Sequence, residues 1–527
     1  MKPGRHIVLL LLLVASTANG DAPGVFAITN GVVHPVSGPE IKGGVVVIRD
    51  GLIEAAGAKV PIPADATVID VAGAHVYPGL IDAYTSLGFA GESDGDRSTS
   101  PGGARATSPA SVRVQEPTAA FLAAERIVIK PDDADARRNV GVTTIVAAPA
   151  AGIFAGQSVV LNLGSGPASA NVVRSPAAMN AGFRTRPTWT FPDSLMGVIA
   201  HFRQTFLDAQ HHAAARVAYE RNSAQPRPAI DADLDALQPV LRRELPIVFE
   251  AQSAEMIRRA QAIAREFNLR LIIAGARQAY RMPQELRDVP VLVSVNWPKA
   301  PSDREDREEQ PIRVIRDRVL GPTTPSVLAK NGVAFALVTA GAGASDFIPG
   351  IRKAIDNGLS ADDALRAVTL GPARIFGVDR QLGSLERGKI ANVIVTDKPI
   401  FDKGAKVTRI FVDGRESRLR PVEETKESSP VNGTWSLTVL APQGNVAVNV
   451  TLRVESGHVS GTFSGDRGSG EITGGFYSRP TLQFTIAAQM DAETHDWVFR
   501  GTISDDSIAG TVSTNLGTFQ FAGSKSE

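Results

Sequence analysis

The chain has 527 residues, 43% hydrophobic and 21% charged, and its 55 Lys+Arg balance 55 Asp+Glu to a formal net charge of zero. That balance gives no electrostatic reason to expect nucleic acid or an anionic membrane surface as the main partner. Zero Cys excludes disulfides, thiolate metal sites and a Cys nucleophile, so a ligand cluster must draw on 8 His and on carboxylates.

Residues 1–20 combine a basic start (Lys2, Arg5, His6), an apolar run over 7–15 and small residues around Ala18 and Gly20. This is the layout of a cleaved signal peptide, and it predicts a periplasmic or secreted protein. No later stretch has the apolar length of a membrane span. Over 24–70, β-branched runs at 32–33, 44–49 and 66–71 are broken by Gly, Pro and Asp and read as short strands, with Asp50-Gly51 as a hairpin turn.

From Tyr77 to about Val378 the pattern becomes strand–helix alternation. Apolar strands are expected at 144–148, 246–249, 271–274, 289–295 and 333–338. A helix is expected over 254–267 (AEMIRRAQAIAREF), with Met256, Ile257, Ala260, Ile263, Ala264 and Phe267 on one face. A parallel sheet closed as a (β/α)8 barrel suits this length. Residues 92–117 read as an exposed loop and SDREDREEQ at 302–310 as a solvated charge run. Strand signals return at 390–396 and 407–412, and a polar linker covers 416–430. The last segment, 431–527, has β-rich runs at 435–440, 447–455, 481–487, 497–503 and 507–512, an antiparallel barrel or sandwich whose aromatics form a core or a ligand mouth.

Two segments carry a family resemblance: GAHVYPGLIDAYTSLG at 73–88, and ADDALRAVTLGPARIFGVDRQLGSLERGKIANVIVT at 361–396 continuing to IFVDG at 410–414. With AITNGVVHPV and GGVVVIRDGLIEAA between 27 and 56, they resemble the frame of the amidohydrolase superfamily, in particular its imidazolonepropionase- and dihydroorotase-like branches. The resemblance implies a TIM barrel over 77–380 carrying a composite β-sandwich built from 21–76 and 381–415. It also implies hydrolysis of non-peptide C–N bonds at a metal centre. Relatives hold the metal with a His-x-His after the first strand, a Lys or Glu on the fourth, a His each after the fifth and sixth, and an Asp after the eighth. Imidazoles and carboxylate hold Zn²⁺ or a similar ion, which lowers the pKa of bound water toward 7.

On this chain the His pair falls on Tyr84 and Ser86, the fifth-strand His on Glu250, the sixth-strand His on Ala274 or Gly275, and the Asp on Ala340. No position is assignable for the fourth-strand ligand. Only His201, His211 and His212 lie inside the barrel segment, all in one stretch over 196–219. The reading is therefore an exported member without the metal centre, a pseudoenzyme for which no cofactor is expected. It would serve in small-molecule binding or assembly, as a homo-oligomer or beside a paralogous amidohydrolase.

The alternative is an active hydrolase of cyclic amides or lactones, with a divalent metal such as zinc. Its candidates are Glu250 with Tyr84, or Asp208 with His212, four apart on one helical face. That helical pair reads first as a solvated helix with an i,i+4 hydrogen bond, because no third ligand is visible. Glu250 reads as general base or ligand contact, or as a charge paired with Arg277 or Arg281, and Tyr84 as filling the lost metal's volume. Asp346, six residues beyond Ala340 after a Gly-rich loop, stands as a replacement carboxylate, and Asp82 as a structural residue bonding the turn after its strand. No G-x-S-x-G supports a serine hydrolase.

Overall fold

In the computed structural model the described residues are 24–89, 118–149, 152–186, 191–298, 310–340, 342–417, 419 and 431–526, the last without 442–443, 456–457, 466–467, 479–480, 491–492, 505 and 515–516. The expected leader, the whole of the expected 92–117 loop, the 302–309 charge run and the linker at 418 and 420–430 lie outside the described residues. The chain divides into two compact units, 1–296 with 322–419, and 297–321 with 420–527.

The first unit begins with β1 (Phe26–Val33), β2 (Ile41–Arg49), β3 (Leu52–Gly57), β4 (Thr67–Asp70) and β5 (His75–Pro78). Asp50 and Gly51 both have positive φ, 51° and 79°. Those are the two left-handed positions that a tight hairpin with the native strand twist requires, so the β2–β3 register follows from two residues.

Next come β6 (Leu80–Thr85), β7 (Val142–Ala147), β8 (Phe154–Gln157), β9 (Val159–Asn162), β10 (Val172–Arg174), β11 (Met179–Gly182), β12 (Ile247–Ala251), β13 (Leu271–Gly275), β14 (Val291–Ser294) and β15 (Phe335–Val338). β6 and β7 pair in parallel, as do β11 through β15 in order. The third barrel position departs from the all-parallel expectation. β8 and β9 fill it together, β9 antiparallel to β7 and β8 antiparallel to β11. Only residues 148–153 separate β7 from β8, too few for the crossover that a parallel neighbour needs, so the chain must return as a hairpin. β6 and β7 are buried along their whole length, as strands covered on both faces must be. Ile81, Ala83, Val146, Val160, Val248, Ile272, Leu292 and Ala336 pack together as the barrel core.

The circle closes between β15 and β6. The Ala340 N–H donates to the Tyr84 carbonyl at 3.3 Å. Beneath it the fully buried Asp82 carboxylate accepts from the Thr339 N–H (3.0 Å), the Thr339 hydroxyl (2.6 Å) and Arg137 Nη1 (2.9 Å). Asp82 thus bonds residues far along the chain.

β16 (Val393–Thr396), β17 (Val407–Val412) and β18 (Arg415–Ser417) then join the first five strands in one sheet, ordered β18-β17-β16-β5-β1-β2-β3 with β4 on β1. The composite character is literal: β16 pairs β5, Val395 opposite Val76. A buried polar network ties this sheet to the barrel. Asn392 Nδ2 donates to Thr144 Oγ1 (3.1 Å) and to Asn162 Oδ1 (2.9 Å), and Asn162 Nδ2 donates to Asp413 Oδ1 (2.6 Å).

In the second unit, β19 (Gly433–Ala441), β20 (Gly444–Glu455), β21 (His458–Gly465), β22 (Gly468–Ser478), β23 (Thr481–Met490), β24 (Glu493–Ser504), β25 (Ser507–Thr514) and β26 (Gly517–Lys525) form a closed antiparallel barrel. Closure removes both sheet edges, and Trp435, Leu437, Phe484, Phe499, Val512 and Phe521 fill the interior. Phe484 stacks on Phe499 at 4.9 Å. This settles barrel over sandwich. It also places most of the domain's described aromatics in the core.

The buried Asp82 clasp generates a stability prediction. Removing one partner of a buried ion pair leaves an uncompensated charge, at a cost of about 3–5 kcal/mol. Asp82→Ala should lower the urea-unfolding free energy of the first unit by that amount. Asp82→Leu combined with Arg137→Met should recover much of it. An Asp82→Ala midpoint equal to wild type would mean that the clasp does not hold the barrel shut.

Candidate functional site

The C-terminal ends of the barrel strands define the mouth, where barrel folds place their chemistry. Tyr84 is the penultimate residue of β6, with 5% exposure, and Ser86 lies just beyond the strand with 1%. Tyr84 belongs to the apolar core cluster with Ile81, Ala83 and Val338. Its ring is part of the packed interior.

Glu250 lies at the end of β12, opposite Gly182 of β11 in the ladder. Two residues beyond Gly182, Arg184 donates Nη2 to Glu250 Oε2 at 2.6 Å. The expected pairing with Arg277 or Arg281 is replaced by this one, because β11 is the adjacent strand and brings its own Arg alongside. Arg281 instead bonds Gln278 Oε1 at 3.4 Å. The pair is partly open, with side chains 42% and 26% exposed, and contributes only about 0.2–1 kcal/mol to stability. Its importance is electrostatic: the one carboxylate at an expected ligand position already faces a guanidinium.

At the sixth strand, Ala274 and Gly275 supply no side-chain donor. Gly275 has φ 89° and lies under Gln252, whose Nε2 would be 2.7 Å from an added Cβ. The next residue, Ala276, has φ 41°, and Ala340 at the eighth-strand position has φ 35°. Non-Gly residues adopt such values at an energetic cost of about 1–3 kcal/mol each, and they cluster at working sites. Two of the strand ends thus keep strained backbone while carrying only a methyl side chain.

Asp346 sits exposed in the first turn of the helix Ala344–Asp356, its backbone N–H donating to the Gly343 carbonyl at 3.1 Å. Glu250's hydrogen bond goes to Arg184, and none links it to Tyr84 or Asp346.

The helical candidates separate as well. In the helix Leu195–Arg221, capped by Ser194, one face buries Val198, Phe202, Phe206, Ala209 and His212. Asp208 accepts from Gln204 Nε2 at 2.7 Å and is not bonded to His212. His212 Nε2 instead lies 3.3 Å from Asp235 Oδ1, off the line a hydrogen bond needs. His211 is exposed. His201 is half-buried between Phe154 and Phe191, at ring distances of 6.3 and 6.2 Å. Burial, and then the Arg186 charge, lower its pKa below the usual 6.5.

A divalent zinc needs three or four N or O ligands at about 2.0–2.2 Å. Among the described residues no three His, Asp or Glu side chains gather in such a group. Among the described residues, the expected ligand positions hold Tyr84, Ser86, the ion-paired Glu250, Ala274 or Gly275, and Ala340, a set that does not fit a zinc ion.

The fold with its strand-end mouth is like that of solved amidohydrolases. Residues 314–436 match the model described as the Amidohydrolase family. Among solved structures, an amidohydrolase from Thermotoga maritima MSB8 superposes with a TM-score of 0.63 at 23% identity, covering 75% of this chain and 100% of that one. This likeness shows the fold. A putative prolidase from Bifidobacterium longum (TM-score 0.43, 15% identity, 76% and 96% covered) and a zinc-bound adenosine deaminase from Xanthomonas campestris (0.39, 16%, 75% and 93%) are more distant.

His201 gives a pH prediction. Its folded pKa is depressed, so the unfolded chain takes up a proton first as pH falls. Its contribution is therefore fully present above about 6.5 and is lost as pH falls below that toward the folded value. Wild type should lose more unfolding free energy between pH 7.5 and 5.5 than His201→Asn does. Equal losses in parallel urea titrations would show that His201 is not held neutral by the fold.

Proposed function

We propose that this chain is an exported amidohydrolase-fold protein that does not carry out the superfamily's metal-dependent hydrolysis and uses its barrel mouth to bind a small polar ligand. The observation that carries the reading is the Arg184–Glu250 ion pair of 2.6 Å at the fifth-strand ligand position. In the family's chemistry a cation stands against that position. Here the side chain of the neighbouring strand supplies the positive charge, and the first- and eighth-strand positions hold Tyr84, Ser86 and Ala340.

A guanidinium cannot act as a Lewis acid toward a carbonyl oxygen or generate metal-bound hydroxide. It can present planar N–H donors to a carboxylate or other oxyanion. The mouth is thus suited to recognition. Such a protein works as a binding or assembly subunit, as a homo-oligomer or with a paralogous amidohydrolase. The basic and apolar layout of residues 1–20 supports export to the periplasm or the exterior.

The test combines metal analysis of the purified full chain with a panel of amide, cyclic amide and lactone substrates. The expected result is substoichiometric zinc, and background hydrolysis that is the same for wild type and Glu250→Gln. Stoichiometric, tightly held zinc, or turnover abolished by Glu250→Gln, would overturn the reading in favour of an active hydrolase.

A further inference from the structure

A cavity of about 720 Å³ lies away from the mouth, at the residues leading into the N-terminal ends of β12, β13 and β14. Its volume is typical of small-molecule sites. Pro246, Leu269, Leu271, Ile272 and Val289 give it apolar walls, and Arg243, Arg265, Arg270 and Arg287 bring four guanidinium groups to it.

The carboxylates do not cancel this charge. Glu285 is taken by Arg258, which donates to both of its oxygens at 3.2 and 2.9 Å. Asp288 alone remains on the lining. Four guanidinium groups therefore face one uncommitted carboxylate.

Three of the guanidinium groups are fixed in place. Arg243 Nη1 donates to the Asn268 carbonyl (3.0 Å) and Oδ1 (2.8 Å). Arg270 Nη1 donates to the carbonyls of Arg243 (3.3 Å) and Glu244 (3.4 Å), and Arg265 Nε donates to the Gln261 carbonyl (3.2 Å). Each anchor uses one nitrogen and leaves the remaining N–H groups of the fork for a further acceptor. Arg243 and Asn268 are both in the left-handed region, with φ 63° and 52°, and they bond to each other. Both residues lie just past a helix end, after the C-caps Arg242 and Phe267, where a left-handed residue terminates the helix, and these two ends set Arg243 and Arg270 beside the cleft.

We infer that this basal cleft is a second ligand site, separate from the mouth, for a small molecule that carries two or more negative charges as phosphoryl or carboxylate groups on a compact apolar body. Planar guanidinium forks match both oxyanions through paired N–H donors. The apolar walls accept the body of the ligand, and the neutral overall charge of the chain makes the local excess a recognition feature and not a reflection of global basicity.

The test is calorimetric titration of the full chain at low salt with pyrophosphate, citrate and a nucleoside monophosphate in separate arms. Saturable binding is expected in at least one arm, and it identifies whether phosphoryl or carboxylate is preferred. The affinity should fall at least about tenfold in Arg287→Ala, by loss of a charge-assisted contact. It should also weaken on raising ionic strength. Arg287 has no bonded partner within the described fold, so this variant keeps the structure. Arg265→Ala serves as the second variant with the same expected loss. Glu250→Gln should leave the affinity unchanged, which separates this site from the reading of the mouth. Absence of saturable binding in every arm, or affinity indifferent to both Arg variants, overturns the inference.

Discussion

A TIM barrel closes only if its last strand is locked to its first, and here that seam rests on one buried carboxylate. Asp82 on β6 accepts two bonds from Thr339 just beyond β15 and one from Arg137 on the helix Pro131–Asn139. Charge neutralisation and hydrogen bonding have to come together in that place. A fully buried carboxylate without them costs several kcal/mol and would push the seam apart. The seam also fixes the mouth, because Tyr84 and Ala340 are two residues and one residue beyond Asp82 and Thr339. Whatever the mouth does, its rim is set by a clasp that carries no ligand of its own.

The sheet formed from both flanks of the barrel depends on a second constraint. Asn392, Asn162, Thr144 and Asp413 satisfy one another in a buried network, and burial raises the Asp413 pKa above the ordinary carboxylate value. The hairpins at Asp50-Gly51 and Asp413-Gly414 meet there so closely that a Cβ on Gly414 would sit 2.5 Å from the Gly51 Cα. This explains why the long framing motifs, which contain Asn392, Asp413 and Gly414, are so informative. They encode a joint between two layers, and a joint tolerates fewer side chains than a strand does.

Much of the fold was readable for such reasons. Apolar runs gave β7, β12, β13, β14 and β15 within a few residues, and the helix Ala254–Glu266 followed from its apolar face. What stayed hidden had weak local signals. β11 is MNAG, without a β-branched residue, so the fourth strand was invisible, and with it Arg184, the partner of Glu250. The β8–β9 return was missed because periodicity reports burial and not strand direction. In the second unit, β21 and β22 are rich in Gly. At Gly461 a side chain would place its Cβ 1.8 Å from the Thr451 carbonyl, so the neighbouring strand requires the same glycines that mask the strand in sequence. At the mouth, the identities of Tyr84, Ser86, Glu250 and Ala340 were plain in the sequence. Their geometry, one ring packed inside and one carboxylate paired across the ladder, needed coordinates.

The clasp and the mouth can change independently, and that independence accounts for the combination seen here. Asp82 joins Arg137 and Thr339 by buried bonds, and the Tyr84–Ala340 bond beside them is made by backbone atoms. The backbone strain at Ala276 and Ala340 fits the same view, since those φ values are imposed by strand ends that the seam and the ladders determine. Glu250 is the exception, a charged group left at the rim. A lone carboxylate there would repel anionic ligands, whereas a guanidinium 2.6 Å away turns the rim into a dipole with donors on one side and an acceptor on the other. A polar ligand with both kinds of group can exchange partners with that dipole, and the proposed binding role rests on that exchange.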